Sequence, residues 1–344
     1  MAHAVATSRG ADALRVVRRG ASLVGAQNLG LLLALALLVV IIRAQSPYFF
    51  LSSNLLNIGS AISILGVLAI VQTVVIVSGG LDISVGSTAG LTSVVTATVL
   101  ADASGVGLGL LVGLGVGLAA GTFNGVLITY GRVNPVIATL ATFSGFRGAA
   151  LLVTNGNSVG VANTSFNHIG AGRLIGLPIP FVILLGVAAA FFVGLRYTDL
   201  GRNVYAMGGN ATAARLAGIN LARYKLGVYM LSGLIAGLAG ILLTAKTTSG
   251  QPISGSQGLE LASITAALLG GAALDGGQGT IVGAFLGVTI LGVLENGLTL
   301  LNVSSFYQDV ARGSLLIAAV VLQEFRWGGI RRRRAALIAA QHTE

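Results

Sequence analysis

Ten apolar stretches of membrane-spanning length follow one another along this chain, separated by short polar breaks. A bilayer core about 30 Å thick is crossed by about 20 apolar residues in a helix, which satisfies its own backbone polar groups where water is absent. The stretches run over 22–42, 56–78, 83–101, 105–128, 134–154, 174–195, 224–244, 259–274, 279–300 and 306–324. They predict an all-α integral membrane protein of about ten transmembrane helices. Charged residues are 9% of the chain, against roughly a quarter in a soluble domain, which leaves no room for a water-soluble catalytic domain. The first stretch follows Arg15, Arg18 and Arg19 as a signal peptide would, but no convincing small-residue cleavage site follows, with Arg43 beside the one candidate, Ala44. It reads as a retained anchor.

Orientation follows from the basic residues, which are held on the cytoplasmic side near span ends. With both termini inside, Arg9, Arg15, Arg18, Arg19, Arg132, Arg196, Arg202, Arg215, Arg223, Lys225, Arg326 and Arg331 through Arg334 are cytoplasmic, 15 of 20 in all. The remaining five are Arg43, Arg147, Arg173, Lys246 and Arg312. This predicts a cytoplasmic N-terminal tail (1–21), a membrane body (22–324) with a long cytoplasmic loop at 196–223, and a basic cytoplasmic C-terminal tail (325–344). The net charge of +10 then reports topology and implies no nucleic-acid partner. Membrane lipids are the natural contact, and Arg331 to Arg334 suits either an anionic headgroup or simple retention of the tail.

Glycine spacing indicates how the helices meet. Gly109, Gly113, Gly117, Gly121 and Gly125 recur every fourth residue and lay a smooth strip along one helix face, where a second backbone can approach closely. Gly233 with Gly237, and Gly279 with Gly283 and Gly287, repeat the device. An echo also joins Gly79, Gly80, Leu81 and Asp82 to Gly270, Gly271, Leu274 and Asp275, each at a predicted cytoplasmic break. Transporters are commonly built from such repeats, with interrupted helices near the binding site.

Several chemistries are excluded. There is no cysteine, so thiolate catalysis, disulfides and cysteine metal sites are absent, and His3, His168 and His342 lie far apart in sequence. Neither Lys225 nor Lys246 sits in a phosphate-binding GxxxxGK[ST] loop, the chain has no HExxH, and no serine is set in the strand-to-helix elbow of a hydrolase. The chain is read as a non-enzyme with no metal and no cofactor of its own. Ionisable groups within or beside the spans are few: Asp82 and Asp275 suit helix caps, Glu260 suits a helix N-terminus, and Arg147 and Glu295 each suit either a structural tie or a pathway lining.

The longest cytoplasmic loop carries the strongest signal. Asn210 is placed to cap a short helix whose Ala213, Ala214, Leu216 and Ala217 offer small and apolar contacts, and Gly218 to end it. Such a helix outside the membrane suits docking into a partner's groove.

In order along the chain stand Asn54-Leu55-Leu56-Asn57, Gly79-Gly80-Leu81-Asp82-Ile83-Ser84-Val85-Gly86-Ser87, Asn124-Gly125, Pro135-Val136-Ile137-Ala138-Thr139-Leu140, Phe146-Arg147-Gly148, Ser249-Gly250-Gln251-Pro252, Glu260-Leu261 and Asn296-Gly297-Leu298. In this order and spacing the chain resembles, over nearly its whole length, the membrane permeases of bacterial ATP-binding-cassette importers for ribose, xylose, galactose and related sugars. It departs at Ala262-Ser263-Ile264-Thr265, where an acidic residue and alanines are common, and at Glu295, where an uncharged residue is frequent.

The resemblance implies a homodimeric permease of the inner membrane. ATP-binding subunits carrying ATP and Mg would lie below it, and a periplasmic or lipid-anchored sugar-binding protein above. Coupling to the ATPase would fall to Arg202, Gly208, Gly209, Asn210, Ala213, Ala214, Arg215, Ala217 and Gly218. A neutral polyol needs uncharged hydrogen-bonding groups in an apolar path, which makes Gln72, Asn124, Thr139, Thr142 and Asn296 candidates, with Arg147 and Glu295 as charged ones. A pentose such as ribose, or xylose, is the expected cargo. A nucleoside, a branched-chain amino acid or a furanose-like signal in a related importer, and an ion-coupled carrier working alone, are the alternatives.

Overall fold

The computed structural model describes residues 26–102, 105–318, 320 and 321. The predicted tails at 1–21 and 325–344, with His3, His342 and Arg331 to Arg334, lie outside the described residues.

The helices are α1 (Ala26–Gln45), α2 (Ser52–Val77), α3 (Val85–Ala101), α4 (Val106–Thr129), α5 (Pro135–Thr154), α6 (Thr164–Ala171), α7 (Ile179–Tyr197), α8 (Asp199–Gly209), α9 (Ala211–Leu216), α10 (Leu221–Thr247), α11 (Leu259–Leu269) and α12 (Ile281–Leu300). Residues 305–318 are helical too. Among the described residues seven helices are long and apolar enough to cross a bilayer: α1, α2, α4, α5, α7, α10 and α12. The apolar helices α3 and α11 are shorter, at 17 and 11 residues.

Two predicted stretches take a different form. That at 174–195 begins as a hairpin of β2 (Arg173–Leu174) and β3 (Leu177–Pro178), because Ile175 and Gly176 adopt the positive φ of a tight two-residue turn. Helix α7 starts only at Ile179, with Pro180 in its first turn, where proline's missing N–H costs nothing. The stretch at 259–274 is helical only to Leu269: Gly270 and Gly271, the latter at φ +89°, end α11 and turn the chain. Before α11, residues 251–258 are irregular and run along α3. A Cβ on Gly90 would lie 2.9 Å from the Pro252 carbonyl oxygen and 2.8 Å from Ser256 Oγ, and one on Gly86 would collide with the Glu260 carboxylate. Irregular backbone at membrane depth survives only where protein covers it, and α3 provides that cover with its two glycines.

Helix α2 is the centre of the fold. Every residue from Ile62 to Val77 is buried, and α7, α10, α11 and α12 pack around it. Its apolar residues lie on all faces, as a fully enclosed helix requires. The glycine strip of α4 meets α10, as its spacing predicts: Cβ atoms on Gly117 and Gly121 would strike the carbonyls of Gly233 and Tyr229. On α12, Gly283 and Gly287 seat against the carbonyls of Gly270 and Ala266. The segment between α5 and α7 is tied to the start of the irregular stretch by β1 (Val159–Gly160) pairing with β4 (Ser249–Gly250).

Candidate functional site

The loop at 196–223 folds as two helices rather than one. Thr198 Oγ1 caps α8 by accepting the Gly201 N–H at 3.3 Å. Asn210 Oδ1 then accepts the Ala213 N–H at 2.9 Å and starts α9, which ends where Gly218 turns to φ +86°. Of α9 only Ala214 is buried. Its outward face is formed by Ala213, Leu216 and Ala217, with Leu216 85% exposed. Arg215 is exposed, and so is Arg202, which pairs with Asp199 within α8. The helical phase set by the Asn210 cap turns Ala214 inward.

At the end of α8 three glycine turns, far apart in sequence, come together. A Cβ on Gly208 would run into the Val77 carbonyl and lie 2.7 Å from the Gly277 nitrogen. One on Gly277 would lie 2.6 Å from Gly209 Cα, and one on Gly276 would lie 3.0 Å from Gly79 Cα. The Gly277 N–H donates to the Val77 carbonyl at 2.8 Å, and the Tyr205 hydroxyl donates to the Gly279 carbonyl at 2.6 Å. Burial pushes the Tyr205 phenol's pKa upward against the opposing effect of Arg196, so the hydroxyl stays a donor. The two echoed breaks, after α2 and after α11, thus meet on the end of α8. Backbone against backbone leaves no soft side chain at the junction to absorb a displacement.

Of the predicted path residues, Asn124 and Thr139 reach the first break, and Thr142 stands one turn beyond Thr139 on α5. Asp82 accepts from the Ser84 N–H at 2.9 Å, the Ser84 hydroxyl at 2.6 Å and the Ser232 hydroxyl at 2.7 Å, closing the turn that leads into α3. Asn124 Nδ2 donates to Ser84 Oγ at 2.8 Å, and its buried Oδ1 has no partner among the described residues. Thr139 donates to Pro135 O at 2.8 Å, with Leu81 O further off at 3.4 Å, and Thr142 donates to Thr139 O at 3.2 Å. The Tyr229 hydroxyl donates to the same Leu81 carbonyl at 3.2 Å.

Half-buried Arg147 lines a crevice with Gly86, Ser87 and Ser256. The buried Glu260 carboxylate abuts Gly86 of the same crevice; its Oε1 accepts the Gly258 N–H at 3.2 Å and its Oε2 has no hydrogen-bond partner among the described residues. The crevice measures about 10 Å³, about the least that one water requires, so it has no room for a sugar.

The other three predicted path residues lie elsewhere. Gln72 is fully enclosed in α2, neither amide atom having a partner among the described residues. Asn296 and Asn54 exchange amide hydrogen bonds of 3.0 and 2.8 Å, tying α12 to α2. Glu295 receives Arg312 at 2.7 and 3.0 Å, tying α12 to the helix at 305–318. Sequence reasoning passed over Tyr205, Tyr229, Ser84 and Ser232. Tyr205 alone had a local sign, being a large aromatic beside the glycine pair of a cytoplasmic loop.

A core of closely packed apolar helices, broken beside α3 and joined through glycine contacts to a capped helix pair at one end, defines an integral membrane permease. Residues 54–320 match the family described as the branched-chain amino acid transport system / permease component, and the chain belongs to it. It is 42% identical over 298 residues to the ribose import permease protein of Bacillus subtilis (strain 168), covering 86% of this chain and 92% of that one. With the ribose import permease protein of Escherichia coli (strain K12) it shares 41% over 295 residues, 85% of this chain and 92% of the relative. With the L-arabinose transport system permease protein of the same organism it shares 38% over 297 residues, 86% and 90% of the two chains. No solved structure matches. The chain is a multi-pass protein of the bacterial inner membrane, a permease subunit of an ATP-binding-cassette importer and not itself an enzyme. Membership implies ATP-binding and substrate-binding partner subunits, and no cofactor on this chain.

Proposed function

We propose that the chain, as a homodimer with ten spans and both termini in the cytoplasm, imports a pentose, ribose first. ATP and Mg are bound by the partner ATPase, and the sugar arrives on a periplasmic or lipid-anchored binding protein. The observation that carries the cargo is the identity of about 40% to ribose and arabinose permeases over nine-tenths of their length.

Within this reading α9 docks on the ATPase through Ala213, Leu216 and Ala217, and the glycine junction carries its movement to the breaks at 78–84 and 270–280. The face bearing Arg147 lines the path. A guanidinium at that depth is too expensive to present to lipid, so it faces water or a second copy of the chain.

Uptake of labelled ribose, xylose, arabinose and galactose, with and without this chain, tests the proposal under ATP depletion and separately under a protonophore. Ribose uptake that needs the chain and is lost with ATP is the expected result. Uptake that survives ATP depletion and dies with the protonophore overturns it in favour of a lone ion-coupled carrier. The juxtaposition of Arg147 and Glu260 favours a second reading, a zwitterionic branched-chain amino acid, and labelled leucine in the same assay separates the two.

A further inference from the structure

Helices α7 and α10 both pack on α2 but barely touch each other. Between them lies a cavity of about 910 Å³. Val74 of α2 contributes to it, Phe191 and Leu231 line its flanks, and the segment 217–220 after α9 closes its cytoplasmic end. Two glycines keep it wide. A Cβ on Gly194 of α7 or on Gly227 of α10 would meet nothing within 4 Å. This is the opposite of the seam between α4 and α10, where glycine brings backbones into contact. At the mouth stands Arg223, exposed and without an ion-pair partner among the described residues. From Arg223 to Leu231 the helix climbs about 12 Å at ~1.5 Å per residue, close to the depth of one leaflet's hydrocarbon.

We propose that this cleft is a binding site for one anionic phospholipid of the cytoplasmic leaflet. Its phosphate sits on Arg223 and an acyl chain fills the gap between Gly194 and Gly227. The physical reason is that an apolar cavity of this size at membrane depth is filled by the only apolar solvent present, and the unpaired cation at its mouth selects the sign of the headgroup. The lipid lies against Leu200, Gly201 and Val204 of α8, so headgroup composition bears on the same helix pair that meets the glycine junction. The placement rests on the proposed orientation, with 196–223 in the cytoplasm.

The test uses the full chain purified with its ATP-binding subunit from membranes containing phosphatidylglycerol and phosphatidylethanolamine. Retained phospholipid is counted by native mass spectrometry. The expected result is phosphatidylglycerol held by the unaltered protein, retention about five-fold lower in Arg223→Gln, and loss of the lipid in Gly227→Leu or, on the opposite wall, Gly194→Leu. Equal retention in all four proteins overturns the site, and retention in Arg223→Gln with no headgroup preference lost overturns the anionic assignment. The chain has no cysteine, so Gly194→Cys provides a single thiol. Its cross-linking to a second copy would place protein in the cleft and also overturn the proposal. Lipid counting is independent of transport, and labelling a cysteine placed at Leu216 from either side of the membrane checks the orientation separately.

Discussion

Gly208 and Gly209 are chain neighbours at the end of α8, and replacing each by alanine should have opposite consequences. A Cβ on Gly208 has nowhere to go: the Val77 carbonyl occupies its position and the Gly277 nitrogen is 2.7 Å away, both of them backbone. Accommodating it separates the two turns and stretches the 2.8 Å bond between Gly277 N–H and the Val77 carbonyl. Leaving a buried backbone pair unsatisfied costs about 1–3 kcal/mol and overpacking about 1–3 kcal/mol more, against up to ~1 kcal/mol returned by alanine's helix propensity. The net is a loss of about 3 kcal/mol. A Cβ on Gly209 would have its nearest neighbour, Gly277 Cα, at 3.9 Å, an ordinary contact, so Gly209→Ala should be neutral or stabilising by a few tenths of a kcal/mol. The assay is thermal unfolding of each variant in detergent together with ATP-dependent uptake in cells. Gly208→Ala should unfold earlier and lose uptake while still inserting, and Gly209→Ala should match the parent in both. Indistinguishable variants would refute the junction as a rigid coupling element.

Further perturbations test other contacts. Asn54→Leu should lower stability by about 1–2 kcal/mol by stranding the Asn296 amide, and Asn54→Leu with Asn296→Leu should recover part of it, read as a double-mutant cycle in thermal melts. Leu216→Asp, on the outward face of α9, should abolish co-purification of the ATP-binding subunit while leaving the melting temperature unchanged. Ala214→Asp should instead lower the melting temperature, since it buries an unpaired carboxylate. Gly121→Leu should force α4 off α10, with a cost above about 3 kcal/mol, and should be seen as loss of folded protein in the membrane fraction.

The legible part of this protein is what local chemistry controls. Apolar length marked the helices, the four-residue glycine period marked the face on which α4 meets α10, and Asn210 and Gly218 marked the two ends of α9. Each of these signals lies within one element and has one physical outcome. Polar candidates fared differently. Asn124, Thr139, Thr142 and Arg147 were named for their chemistry, and the fold brings Asn124 and Thr139 onto the break before α3 and Arg147 beside the first turn of α3. Asn296 and Glu295 were named on the same grounds, and the fold ties them to Asn54 and Arg312. An amide or a carboxylate has the same sequence signature whether it faces a path or a neighbouring helix.

Sequence by itself determined a membrane-embedded helical chain with one capped short helix in its longest loop, because hydrophobic transfer and backbone hydrogen bonding in lipid act residue by residue. Only the tertiary structure decided that the turns at 79, 208 and 277 meet, that Ala214 faces inward, that residues 251–258 cross beside α3 without helix, and that α7 and α10 stand apart. The physical reason is that these are contacts between backbones, or gaps between helices, made mostly by glycine. A residue with no side chain records that something comes close, or that space is left, and does not record what.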